Sequence, residues 1–190
     1  MLICLIGGSG SGKDTQGTIL AQKLGLTHIS MGGIIRAEAK RQNPVALAAQ
    51  EVANQGKWVS GDVIAQLLES YLVVHAQEGV ILNGFPRSID QANYFPDILA
   101  RQKLELSAVV HLHVPDSVLL ARMANQVSEG HERDDVTLEI MAQRLQSYKD
   151  TIEPILAQYK SQGVLVEING AQLVEQVTKD ILLGLKPYTV

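Results

Sequence analysis

Five apolar residues, Leu2-Ile3-Cys4-Leu5-Ile6, run without a break into Gly7-Gly8-Ser9-Gly10-Ser11-Gly12-Lys13. No other stretch of the chain constrains its fold so strongly. The apolar run has the length of a buried strand, and residues 15–24 have the length and polarity of a helix. Glycines between them let the backbone curl until successive N–H groups point inward, where the positive end of the helix adds to the field. The spacing G-x-x-x-x-G-K in a strand-to-helix turn thus predicts a phosphate cradle, with Lys13 placing a charge over the outer phosphates. Asp14 stands where Ser or Thr is usual, with Thr15 one residue further. A carboxylate there suits a helix N-terminus but repels a triphosphate, and the sequence leaves open which tendency governs.

The alternation continues along the chain. Residues 2–6, 27–29, 79–83, 107–114 and 163–168 read as strands, with helices predicted at 15–24, 34–42, 44–55, 61–77, 88–102, 116–127, 137–161 and 171–184. Asp116 after Pro115 marks a helix start, as does Ser88, which stands at capping-box spacing from Gln91. Parallel neighbours can be joined only through crossovers, so strands separated by helices predict an α/β fold with helices on both faces of a parallel sheet. About fifty residues separate the second strand from the third, more than one crossover needs, so a helical insertion is expected there. The polar run Val127 to Asp135, VSEGHERDD, is the other interruption, too charged for core and too short for a domain.

Composition narrows the function classes. A length of 190 residues suggests one domain, or one with insertions, that buries a core without staples. The single cysteine, Cys4, excludes a disulfide framework and Cys-rich zinc motifs. A net charge of −4 argues against nucleic acid as partner. No run approaches a membrane span, and the apolar start lacks a basic leader, so a cytoplasmic protein is expected.

A second polar motif, Asn83-Gly84-Phe85-Pro86-Arg87, closes the third strand, with Gln91 four residues beyond the arginine. Ligand crevices in open α/β sheets lie at the carboxyl ends of strands, where an arginine can fork onto phosphate. Arg36 follows Ser30-Met31-Gly32-Gly33 in the same way.

With these motifs in order, the sequence resembles the adenylate kinase family of nucleoside monophosphate kinases in its short-lid form. GGSGSGKDTQ is similar to that family's GGPGSGKGTQ, ISMGGIIR to ISTGDMLR, and NGFPRSIDQA to DGFPRTIPQA. Gly56-Lys57-Trp58-Val59 is similar to G-K-x-V, and Asn169-Gly170 to the Asp-Gly before the last helix. Arg144, Leu145, Tyr148 and Pro154 keep the R-L-x-x-Y-x-x-x-x-x-P spacing.

The resemblance implies a P-loop core with a five-stranded parallel sheet, a monophosphate-binding insertion near 30–59 and a lid near 126–136, all in one domain of residues 1–190. It implies ATP + AMP = 2 ADP with Mg²⁺, in a monomer whose partners are nucleotides. ATP falls to Gly8, Gly10, Ser11, Gly12, Lys13, Asp14, Thr15, Arg122 and Gln126. AMP falls to Met31, Arg36, Val59, Gly84, Arg87, Gln91, Arg133 and Arg144. Phosphoryl transfer needs charge neutralisation and positioning more than covalent chemistry, so Lys13, Arg87, Arg122, Arg133 and Arg144 are the implied catalytic set. Five of the seven arginines sit on family motifs.

Several positions depart from the pattern. Gln126 replaces a second arginine four residues after Arg122, Asn83 the magnesium-assisting aspartate, and Gly33 the aspartate of STGD. Met31 replaces a threonine beside the acceptor base, and Val136 the second aspartate of the lid once Arg133-Asp134-Asp135 is aligned as R-x-D. An electrostatically weaker site leaves two other readings open: a nucleotide-binding protein with feeble catalysis, and a kinase of UMP, CMP or another small acceptor. His111 and His113 read as core or edge histidines, not metal ligands, and Trp58 as packing at the insertion's hinge. No lid cysteine is present to bind zinc.

Overall fold

The computed structural model describes residues 1–75, 78–128 and 138–188, without the side chains of 126–128 and 138. Its centre is β1 (Leu2–Ile6), buried at every residue. Around it lie β2 (Thr27–Ser30), β3 (Val80–Asn83), β4 (Ala108–His113) and β5 (Leu165–Asn169), all parallel in the order β2-β3-β1-β4-β5. The five strands match the expected sheet.

Side chains of β1 alternate between two apolar layers, as the strand period requires. Leu2, Cys4 and Ile6 pack on one face with residues of α2 (Met31–Lys40), α3 (Pro44–Asn54), α4 (Gly61–His75), α5 (Ile89–Gln102) and α7 (Leu138–Ser161). Ile3 and Leu5 pack on the other with α1 (Lys13–Leu24) and α8 (Val174–Leu185). A smaller cluster, Leu119, Met123, Met141 and Leu145 among it, joins α6 (Asp116–Ser128) to α7. The fifty residues between β2 and β3 therefore hold α2 and α3 ahead of the crossover helix α4.

Two helix starts lie three residues from their sequence expectations. Helix α2 begins at Met31 rather than residue 34, because Ser30 Oγ accepts the Gly33 N–H at 3.4 Å and caps a turn that two glycines disguise. Helix α8 begins at Val174 rather than residue 171, because Asn169 Oδ1 takes the Ala171 N–H at 3.0 Å and holds a turn before it.

Register brings the polar strand ends together. Ser30 lies beside Asn83, and Asn83 beside Leu5, two residues before the glycine loop. The chain runs from β1 outward to β2, back to β3, then across to β4, so the crevice opens where the winding direction reverses.

Candidate active site

The glycine loop leaves β1 and closes onto α1 through Gly12, whose φ of +91° is a left-handed conformation that a side chain would strain. Lys13 folds back along the loop, donating to Gly7 O at 2.9 Å, Gly8 O at 2.8 Å and Ser11 Oγ at 3.3 Å. Its ammonium thus already sits over the concave side of the turn.

A cavity of about 490 Å³ runs from this loop to α2 and α3. Gly10, Gly12, Lys13, Asp14 and Thr15 form its loop end. Met31, Arg36 and Val59 line the wall toward α2, and Gly84, Arg87, Gln91 and Arg144 complete it. Twelve residues singled out from the sequence therefore share one cavity. Among the described residues its lining carries five cations, Lys13, Arg36, Lys57, Arg87 and Arg144, against one carboxylate, Asp14. In a chain of net charge −4, that concentration makes the cavity an anion trap.

Gly8, Ser11 and Arg122 lie outside the lining. Helix α6 packs on the loop so closely that a Cβ on Gly8 would stand 2.8 Å from Leu119. Ser11 is buried beneath Lys13. Arg122 donates to Gly10 O at 3.4 Å and Gly170 O at 3.1 Å, bracing the loop tip against the turn before α8. Arg133, with the R-x-D match and Val136, lies outside the described residues, as does the side chain of Gln126.

The turn after β3 is built around Arg87. Its Nε donates to Gly84 O at 2.7 Å, and a Cβ on Gly84, where φ is +71°, would meet the guanidinium at 2.6 Å. Gly84 is what lets the arginine fold over its own turn. Gln91 is 2% exposed and works at both ends of its amide: Nε2 donates to Val59 O at 2.7 Å, and Oε1 accepts the Arg87 N–H at 2.8 Å. The capping box expected from Ser88 and Gln91 is half formed. Ser88 Oγ takes the Gln91 N–H at 3.2 Å, but the glutamine side chain serves Arg87 rather than returning to the cap. Arg144 reaches from α7 to Ala53 O at 3.1 Å, at the end of α3.

Asp14 projects toward β3, where its Oδ1 accepts from Asn83 Nδ2 at 2.7 Å. Gly33, by contrast, is not forced by packing: a Cβ there would meet Ser30 at an ordinary 3.5 Å.

Behind the loop, His111 is buried on β4 with Nε2 2.8 Å from Tyr148 Oη, and the Gly8 N–H faces the same phenol oxygen. Burial, then the nearby His113 and Lys13, push the His111 pKa down to about 4, so the ring is neutral. Burial in turn pushes Tyr148 up to about 12. His113 is exposed, its ring 6.1 Å from that of His111.

Sequence reading missed Gln50, Asn54 and Lys57, which also line the cavity. Gln50 and Asn54 lie four residues apart on α3, a helix whose buried positions are Ala46 and Ala49. Two amides on one face of such a helix were a legible signal. Trp58, read from the sequence as packing at the insertion's hinge, is also a cavity residue. It lines the cavity beneath Arg87 while its Nε1–H donates to α7.

Comparison with known proteins agrees with this geometry. A family model described as Adenylate kinase matches residues 5–164. The chain is 37% identical over 187 residues to the adenylate kinase of Stenotrophomonas maltophilia (strain R551-3), covering 98% of this chain and all of the relative. It is 35% identical to that of Xylella fastidiosa (strain 9a5c), over 97% of this chain and 99% of the relative. It is 35% identical to that of Nitrobacter winogradskyi, over 95% and 91%. A glycine loop, a ring of arginines and an aligned length that spans both chains have one explanation: this protein belongs to the adenylate kinase family.

Proposed function

We propose that this protein catalyses ATP + AMP = 2 ADP in the cavity between the glycine loop and α2–α3. The observation that carries the reading is the convergence of five cations on a cavity that begins at a phosphate-binding loop. The loop N–H groups and Lys13 hold the ATP phosphates, the ammonium exchanging loop carbonyls for phosphate oxygens. Arg36 and Arg87 hold the AMP phosphate. An oxygen of that phosphate attacks the γ-phosphorus in line as the bond to the β-bridging oxygen breaks. Lys13 and Arg144 neutralise the equatorial oxygens as charge spreads over them, with Arg133 closing from the lid. Arg122 acts through the loop, holding Gly10 in place.

Met31 and Val59 supply an apolar wall for the adenine, and Gln91 reads its edge. Among the described residues the Gln91 amide keeps one N–H and one oxygen lone pair beyond its two bonds, a donor and an acceptor for a base. Residues 30–59 serve as the acceptor-binding part and 126–136 as the lid of a single domain. The enzyme acts as a monomer in the cytoplasm; among the described residues no helix is long and apolar enough to cross a membrane.

Oxygen donors fit Mg²⁺ here. Asn83 Oδ1 is buried without a hydrogen-bond partner among the described residues, beside the Asp14 carboxylate, and both line the cavity. Bound there, Mg²⁺ would neutralise phosphate charge.

The test is ADP formation from ATP with AMP, GMP, CMP or UMP as acceptor. The highest kcat/KM is expected with AMP. Preference for CMP or UMP would overturn the adenine role of Gln91, and ATP binding without turnover on any acceptor would overturn the kinase reading.

A further inference from the structure

We propose that Asp14 supplies the anionic charge of a nucleotide-dependent divalent-cation subsite, with Asn83 as its neutral oxygen ligand; this rests on the reading of the cavity as an ATP site. Asn83 ends β3 and is 3% exposed. Its Nδ2 donates to Asp14 Oδ1 at 2.7 Å. A carboxylate only accepts hydrogen bonds, so this contact fixes which end of the amide is nitrogen and leaves the oxygen as the orphan. Asn83 lines the cavity, and its buried carbonyl oxygen, with no donor among the described residues, is the atom left for a cation to satisfy.

Asp14 has the complementary problem. It is exposed in the first turn of α1, next to Lys13, where the outer phosphates of ATP would lie. Its negative charge repels them. A divalent cation between carboxylate and phosphate turns that repulsion into attraction. Among the described residues no group of three or more His, Cys, Asp or Glu is placed to hold a metal ion. Asp14 and Asn83 supply two protein ligands, and the cation takes the rest from phosphate oxygens and water, as Mg²⁺ does at polyphosphates. It binds with the nucleotide and not before it.

The sequence carries a matching exchange. Where the family pattern has Gly after the lysine and Asp before GFPR, this chain has Asp14 and Asn83. One carboxylate is present in each case, on opposite sides of one hydrogen bond. The two departures are a single relocation of charge.

Calorimetric titration of the full chain with ATP, in EDTA and in excess Mg²⁺, tests this, together with the Mn²⁺ electron paramagnetic resonance signal with and without ATP. Mg²⁺ should tighten ATP binding of the wild type about tenfold. Mn²⁺ should be immobilised only when ATP is present. In Asp14→Gly, and in the isosteric Asp14→Asn, the metal-dependent gain should shrink to less than about twofold, while metal-free ATP binds more tightly because the repelling carboxylate is gone. The relocated pair, Asp14→Gly with Asn83→Asp, should regain the metal dependence. ATP binding whose metal dependence survives both single substitutions overturns the subsite alone. Failure of the wild type to bind ATP in either condition overturns the ATP reading and the subsite with it.

Discussion

The Arg87 guanidinium lies over the Trp58 indole, 5.3 Å from the ring centroid, and the indole Nε1–H donates to Ser147 O and Thr151 Oγ1, each at 3.3 Å. The ring is thus clamped to α7 and forms a flat platform that holds the arginine toward the acceptor side of the cavity. Such a contact contributes roughly 0.5–2 kcal/mol. Trp58→Leu should raise the AMP KM about 3- to 10-fold and lower kcat less, since it frees Arg87 without removing it. Steady-state kinetics with each substrate varied checks this, and an equal rise in both KM values would contradict it.

Removing the arginine itself separates the substrates more sharply. Arg87→Ala should raise the AMP KM by roughly 30-fold or more, because a charge-assisted contact to phosphate is lost. ATP affinity measured by calorimetry should change little. If ATP binding fell as much as AMP binding, Arg87 would belong to the donor site.

Gln91 joins fold to specificity. Gln91→Leu would leave Val59 O and the Arg87 N–H without their partner, destabilising the protein by roughly 1–3 kcal/mol. The same change should weaken AMP binding more than ATP binding. Urea unfolding and substrate titration check the two effects separately; unchanged stability would mean that water replaces the amide.

Acid should loosen the support behind the loop. His111 titrates near its ordinary 6.5 when unfolded, but in the folded protein burial, His113 and Lys13 hold its pKa at about 4, with Tyr148 on its Nε2. Between those values the unfolded chain binds more protons. Stability from the neutral ring is therefore complete above about pH 6.5 and is lost as the pH falls toward 4. His111→Gln should flatten the stability difference between pH 7 and pH 4.5 by roughly 1–3 kcal/mol in urea titrations. A variant with the wild-type slope would show that His111 does not titrate in this range.

The sequence carried the architecture well because strand pattern and loop spacing are local. The buried run Leu2–Ile6 and the turn through Gly12 to Lys13 are read directly from neighbouring residues. Contacts between distant segments were not legible. Trp58 meets Arg87 and α7 across 29 and 89 positions, and nothing near residue 58 announces either partner. The direction of Asp14 was undecidable for the same reason, since its partner Asn83 lies 69 residues away. Helix α2 shows a different limit: Gly32 and Gly33 lower helix propensity locally, while Ser30 as cap starts the helix regardless.

Phosphoryl transfer in this cavity depends on Lys13, whose ammonium is the charge fixed over the phosphate loop. The decisive measurement is kcat for ADP formation from ATP and AMP in the wild type and in Lys13→Met, with circular dichroism confirming that both are folded. Wild-type turnover, reduced about a hundredfold or more in the variant, is the expected result. No wild-type turnover, or equal turnover in a folded Lys13→Met variant, would contradict the assignment of phosphoryl transfer to this cavity.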